Sequence, residues 1–179
     1  LLAALAIALG VLEGLAISGG VGFVNSLRIR FPAVLFALFV LQGIARGRLV
    51  GLHHAGAYPV LAWIVCSLAL LFILTIQSES VGMALAATGL GFNVLTVLGN
   101  GFMPVEAHSA VLTADTSFYA PANPGVVFRI AGDCLPFVAG SYRILLSVGD
   151  VLLVIGVIVY MTHAAATMNP AGIESRSNT

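Results

Sequence analysis

The sequence predicts an all-α fold, a polytopic membrane helix bundle of about five transmembrane helices, and three observations carry that prediction. The first is composition. Of 179 residues, 60% are hydrophobic and 8% charged, against about 45–50% and 25% in an ordinary soluble domain. Such a chain lacks the polar surface to cover an apolar interior in water, so the lipid bilayer is its expected solvent. The second is patterning: the apolar residues fall in long, nearly uninterrupted runs, where a membrane β-barrel would alternate apolar and polar residues. The third is charge. Seven Arg, with no Lys, balance seven acidic residues, so the basic surface that nucleic-acid binding requires is missing. Nucleic acid is excluded as a partner.

The runs occupy residues 1–22, 32–52, 58–76, 81–99 and 147–163, each near the roughly 20 residues that cross a hydrocarbon core of about 30 Å. The first, Leu1–Gly22, reads as a retained helix and not as a signal peptide, because no basic stretch precedes it and Glu13 interrupts it. The second opens at Pro32 and the third at Tyr58–Pro59; proline suits a first helical turn, whose N–H groups have no intrahelical partner. The polar link Gln77–Ser80 is short enough to make the third and fourth runs an antiparallel hairpin. Ser147-x-x-Asp150 reads as a capping box at the head of the fifth run, with an acid at the positive end of the helix dipole. Between the last two runs, residues 100–146 hold Pro104, Pro121, Pro124 and Pro136 among apolar stretches. Short helices and turns are expected there, on the bilayer surface or re-entering the bundle, since a structureless loop of that length is unusual. Residues 1–168 thus form one transmembrane domain, followed by a polar tail, 169–179, expected to be disordered.

The candidate chemistry gathers at one end of the bundle, where the fourth run stops and the fifth starts: Asn100, Glu106, His108, Asp133, Arg143 and Asp150. These side chains supply oxygen and nitrogen ligands, or an acid–base set; equally, they supply helix caps, turns and ion pairs with Arg129 or Arg143. Glu106-x-His108 is too common a pattern to specify a metal. Cys66 and Cys134 form no CxxC pair, and His53, His54 and His163 stand at the ends of runs, without the mid-membrane pair that would hold a haem. Phosphate-loop, dinucleotide and GxSxG words are also missing. No catalytic residue, metal or cofactor is therefore assigned.

Within the runs, Glu13, Gln42 and Asn93 are the intramembrane polar residues. A carboxyl at the position of Glu13 must be protonated, paired or turned to a polar cavity, with Arg48 or Gln42 as partners if the first two helices pack together. Gln42 and Asn93, with Thr96, are expected to join helices through hydrogen bonds of about 0.6–2 kcal/mol each. Gly10-x-x-x-Gly14 and Gly43-x-x-x-Gly47 are the expected surfaces of close helix approach.

The words GNGFMPV at 99–105, AGDCLPF at 131–137 and SVGDVLLVIG at 147–156, with LRIRFPAVLFALFVLQ at 27–42, resemble an uncharacterised family of small bacterial integral membrane proteins, the domain of unknown function 5317. The resemblance covers most of the chain and brings no known activity. It implies a bacterial inner membrane and a cytoplasmic Arg28 and Arg30, hence an outside N-terminus and an extracytoplasmic segment 100–146. The distribution of Arg does not decide the orientation by itself, since Arg28, Arg30 and Arg176 fall on one side and Arg46, Arg48, Arg129 and Arg143 on the other.

The expected role is that of a non-catalytic accessory or structural subunit, with the lipid bilayer and other membrane-protein subunits as partners. The alternative is a membrane-embedded enzyme or a small-solute or lipid carrier working through Glu106, His108, Asp133 and Asp150. A third reading is a transporter built around Gln42 and Asn93.

Overall fold

Where the structure describes them, the apolar runs are helices. A computed structural model describes residues 29, 31–45, 58–77, 79–105, 118–139 and 142–167. They form α1 (Pro32–Ala45), α2 (Tyr58–Thr75), α3 (Val81–Asn100), β1 (Met103–Val105), β2 (Tyr119–Pro121), a 3₁₀ turn (Arg129–Ala131), β3 (Leu135–Ala139), β4 (Tyr142–Leu146) and α4 (Val148–Ala166). Mostly helical architecture is thus present, with four helices among the described residues. Two of these, α3 with 20 residues and α4 with 19, are long and apolar enough to cross a membrane. The apolar helices Pro32–Ala45 and Val60–Thr75 are shorter over their described lengths, and the run 1–22, with Glu13, Gly10 and Gly14, lies outside the described residues.

Helix ends are set by local chemistry. The Ser80 hydroxyl accepts from the Met83 N–H at the head of α3, and Gly101, with φ 74°, ends that helix by returning its N–H to the Val97 carbonyl. A left-handed residue at this position is cheap for glycine and strained for others. At the head of α4, Ser147 and Asp150 complete a capping box: each side chain accepts from the other's backbone N–H. The link between α2 and α3 is short enough to make them an antiparallel pair.

The helices α3 and α4 approach so closely that the glycines facing each other across the contact are obligatory. A Cβ added at Gly89 would strike the Gly149 carbonyl oxygen and sit 2.6 Å from the Leu153 nitrogen. One at Gly82 would sit 2.6 Å from the Gly156 oxygen, and one at Gly156 would reach the Ala86 nitrogen. Gly82 with Gly89 on α3, and Gly149 with Gly156 on α4, therefore form one seam in which backbone meets backbone. Small residues of this kind allow the close backbone contact that dispersion needs.

Segment 100–146 departs from the expected short helices. Its described residues form two small ribbons and one 3₁₀ turn. β1 pairs in parallel with β2, Met103 opposite Tyr119, and β3 pairs antiparallel with β4, Ala139 opposite Tyr142. Pro104, Pro121 and Pro136 lie inside these strands. Proline breaks a helix interior but is tolerated at ribbon edges, and the surrounding Val, Phe, Tyr and Ile favour extended backbone.

The interior has one main cluster. Val60, Trp63 and Leu70 of α2 meet Leu90, Val94 and Val97 of α3, and Met103, Val105, Phe118 and Tyr119 close the end of that layer. The Phe118 ring stands edge-on between Trp63 and Tyr119, at 5.1 Å from each. β1 and β2 are thereby packed onto the helices. On the opposite face of α2, Leu61, Val65, Leu68 and Phe72 form an exposed apolar stripe.

Candidate functional site

A buried polar ring lies at the α3–α4 seam. Asn93 projects from α3 one turn beyond Gly89, while Ser147 and Asp150 come from the cap of α4. The Ser147 hydroxyl donates to Asn93 Oδ1 at 2.7 Å, and Asn93 Nδ2 donates to Asp150 Oδ1 at 2.9 Å. The capping box closes the ring: Asp150 N–H donates to Ser147 Oγ at 2.8 Å, and Ser147 N–H donates to Asp150 Oδ2 at 3.3 Å. Asn93 and Ser147 are both buried. The amide orientation follows from the network, because Asp150 Oδ1 needs a donor and the hydroxyl that accepts from Asp150 N–H has its own proton left to give. That proton goes to an amide oxygen, which is not a base. Ser147 and Asp150 are thus arranged as cap and clamp, and the ring fastens two helices at the level where their glycines end.

Asn100, at the end of α3, works as a second clamp. Its Nδ2 donates to the Thr96 and Val127 carbonyls, both at 2.8 Å, and its Oδ1 accepts from the Val127 N–H at 2.9 Å. The loop before the 3₁₀ turn is held to the helix end through both backbone groups of one residue. Asp133 lies elsewhere, buried beside β1, where its N–H donates to the Pro104 carbonyl at 2.8 Å and the residue bridges Val105. Gly132 permits this approach, since a Cβ there would come within 2.6 Å of the Pro104 oxygen. Arg143 is placed by its backbone alone, opposite Val138 in the β3–β4 register. Glu106 and His108 lie outside the described residues, as do Arg48 and Gly47.

The described members of the sequence-predicted set are therefore divided among four places: Asp150 in the seam, Asn100 at the loop clamp, Asp133 beside β1 and Arg143 on β4. Among the described residues, no three His, Cys, Asp or Glu side chains are grouped to hold a metal. Of the residues within the runs, Gln42 Nε2 donates to Ser67 Oγ at 2.5 Å and links α1 to α2, while the Ser67 hydroxyl donates to the Trp63 carbonyl. Thr96 differs from its expected interhelical role, because its hydroxyl donates to the Phe92 carbonyl of its own helix. Gly43 is half-buried on α1. Cys66 and Cys134 form no disulfide, and the Cys134 thiol donates to the Ile130 carbonyl at 3.6 Å.

Sequence reasoning missed Ser147 as the third member of the ring, and it missed all four seam glycines. A signal was present: Gly82 and Gly89, and Gly149 and Gly156, are each spaced by seven residues, which keeps both on one helical face.

Sequence comparison adds a family. The Family of unknown function (DUF5317) matches residues 26–162, well over half of the 179 residues. The chain belongs to this family. No curated protein and no solved structure matches it. The matched stretch takes in α1 to α3, both ribbons, most of α4, the glycine seam and the Asn93–Ser147–Asp150 ring, so the family resemblance and the tightest packing coincide in this DUF5317 chain.

The ring gives a measurable expectation. Asn93→Ala should lower stability by about 1–3 kcal/mol, because it leaves the buried Ser147 and the half-buried Asp150 with fewer partners. Asp150→Ala should cost a similar amount, and the double variant should cost less than the sum of the two. Thermal unfolding of the purified variants in one detergent checks this; strictly additive losses would mean that the ring is not a unit.

Proposed function

We propose that this DUF5317 member is a membrane-embedded helical protein of about five spans, serving as a non-catalytic accessory subunit of a larger membrane assembly. The observation that carries the reading is the outside of the bundle. α2 exposes Leu61, Val65, Leu68 and Phe72 as one stripe, and α3 exposes Phe92, Leu95 and Leu98. Apolar surface of this extent calls for lipid or protein as its solvent. α1 goes further, burying none of its residues fully while presenting Phe36 at 71% exposure. An apolar helix held by its neighbour at one edge is suited to a second protein. The polar residues meanwhile serve as caps and clamps, consistent with a structural role. In this reading the N-terminus lies outside a bacterial inner membrane and segment 100–146 is extracytoplasmic, following the basic Arg28–Arg30 link.

A photo-crosslinking side chain placed at Phe36 or Phe72, in the chain's own membrane, tests the role. A discrete protein adduct from position 36 is expected, and its loss on Gln42→Leu would tie the contact to α1. Lipid adducts alone from both positions would contradict the subunit reading.

The carrier or enzyme alternative has one observation of its own. Asp133 is buried and bridged to Val105, the residue that precedes Glu106. A purified, partner-free chain that binds or turns over a solute, and stops doing so on Asp133→Asn, would favour it.

A further inference from the structure

The segment Val127–Ile130, running from the loop into the 3₁₀ turn, is apolar, exposed and tied to α3. Val127, Phe128 and Ile130 all face outward, Ile130 at 81% exposure, with Arg129 exposed between them. Phe128 occupies the left-handed region with φ 56°, a conformation that costs a non-glycine residue on the order of 1–3 kcal/mol. Two contacts hold it there: the Asn100 clamp on Val127 and the Ala131 N–H donating to the Phe128 carbonyl at 2.8 Å.

Its level relative to α3 says what it meets. A Cβ on Gly99 would lie 3.8 Å from Val127 Cβ and 3.9 Å from Phe128 Cδ2, so the loop sits directly against the last turn of α3. The exposed Leu95 and Leu98 lie in that same end of the helix. A helix of 20 residues spans about 30 Å, the thickness of the hydrocarbon core. Asn100 then falls at the boundary between acyl chains and headgroups, and the loop falls beside it.

Resting on the membrane reading above, we infer that Val127–Ile130 is an interfacial lipid anchor: Phe128 and Ile130 enter the upper acyl region, and Arg129 reaches back to the phosphates. The apolar surface is continuous with the lipid-facing end of α3, and an exposed Arg among apolar neighbours fits a headgroup boundary, where its stem lies in the apolar zone and its charge stays wet. An obligate protein interface would instead have an apolar centre depleted in charge. The anchor sets the depth of α3, and with it the depth of the polar ring.

The test uses the full chain with Cys66→Ala and Cys134→Ser, reconstituted in phosphatidylcholine vesicles containing phosphatidylglycerol. A bimane fluorophore is attached in turn at Ile130→Cys, Leu98→Cys and Asn123→Cys, all exposed positions. Nitroxide lipid labelled near the headgroup should quench Ile130 at least about twofold more than Asn123, as a side chain about 5–10 Å inside the interface requires, and iodide should quench Asn123 alone. Quenching of Ile130 by iodide, with Leu98 still quenched by lipid, would overturn the anchor and leave the membrane reading intact. Quenching of Leu98 by iodide would overturn the membrane reading itself. Protection of Ile130 from both quenchers would assign the loop to a protein contact and overturn the anchor.

Discussion

Gly89→Leu is expected to abolish the folded monodisperse protein, and Gly89→Ala to destabilise it by about 3 kcal/mol or more, at the upper end of the usual cost of overpacking. The reason is geometric. The added carbon meets the Gly149 carbonyl and the Leu153 nitrogen, and backbone atoms of a packed helix cannot rotate aside as a side chain would. The two helices must separate, which also pulls Asn93 away from Ser147 and Asp150. Gly91 supplies the control on the same helix, since a Cβ there finds only Leu71 Cδ1 at 3.9 Å. Gly91→Ala should leave stability unchanged or raise it by about 0.5–1 kcal/mol through helix propensity. Thermal unfolding midpoints in one detergent compare the two; equal midpoints for Gly89→Ala and Gly91→Ala would remove the seam from the account.

Trp63→Ala is expected to cost about 3–5 kcal/mol. Trp63 and Phe118 are both almost wholly buried, and their edge-on contact at 5.1 Å is the link between α2 and the strands that follow α3. Truncation leaves a void against Phe118 and Met103 and forfeits the aromatic pair, itself worth about 0.5–1.5 kcal/mol. The damage should be local first: hydrogen exchange in β1 and β2 should accelerate well before exchange in α3 and α4. Trp63→Phe should retain most of the stability. Uniform acceleration across all elements in Trp63→Ala would show that the strands have no separate attachment.

Helices were legible in the sequence because apolar runs and their caps are local. The run 81–99 and the helix Val81–Asn100 agree within one residue, and Ser147-x-x-Asp150 marks the observed head of α4. The ribbons were not read, although Leu135–Leu146 carries β-favouring residues on both sides of Gly140-Ser141, a two-residue hairpin signal. Proline in that segment reads as turn punctuation, yet it also sits in edge strands. The parallel pairing of β1 with β2 has no local signature at all. The partners of Asn93 lie 54 and 57 residues away, and only the folded seam brings them together. Glycine pairs at a spacing of four stand out in the sequence, whereas the α3–α4 contact uses a spacing of seven.

In the proposed reading α3 and α4 both cross a bilayer, with the loop between them on one side. Single cysteines at Glu79, Asn123 and Thr167, exposed positions flanking these helices, test this in sealed membranes, in a chain whose Cys66 and Cys134 are replaced by Ala and Ser. An impermeant maleimide should reach Glu79→Cys and Thr167→Cys from one side and Asn123→Cys from the other. Labelling of all three from the same side would contradict the account.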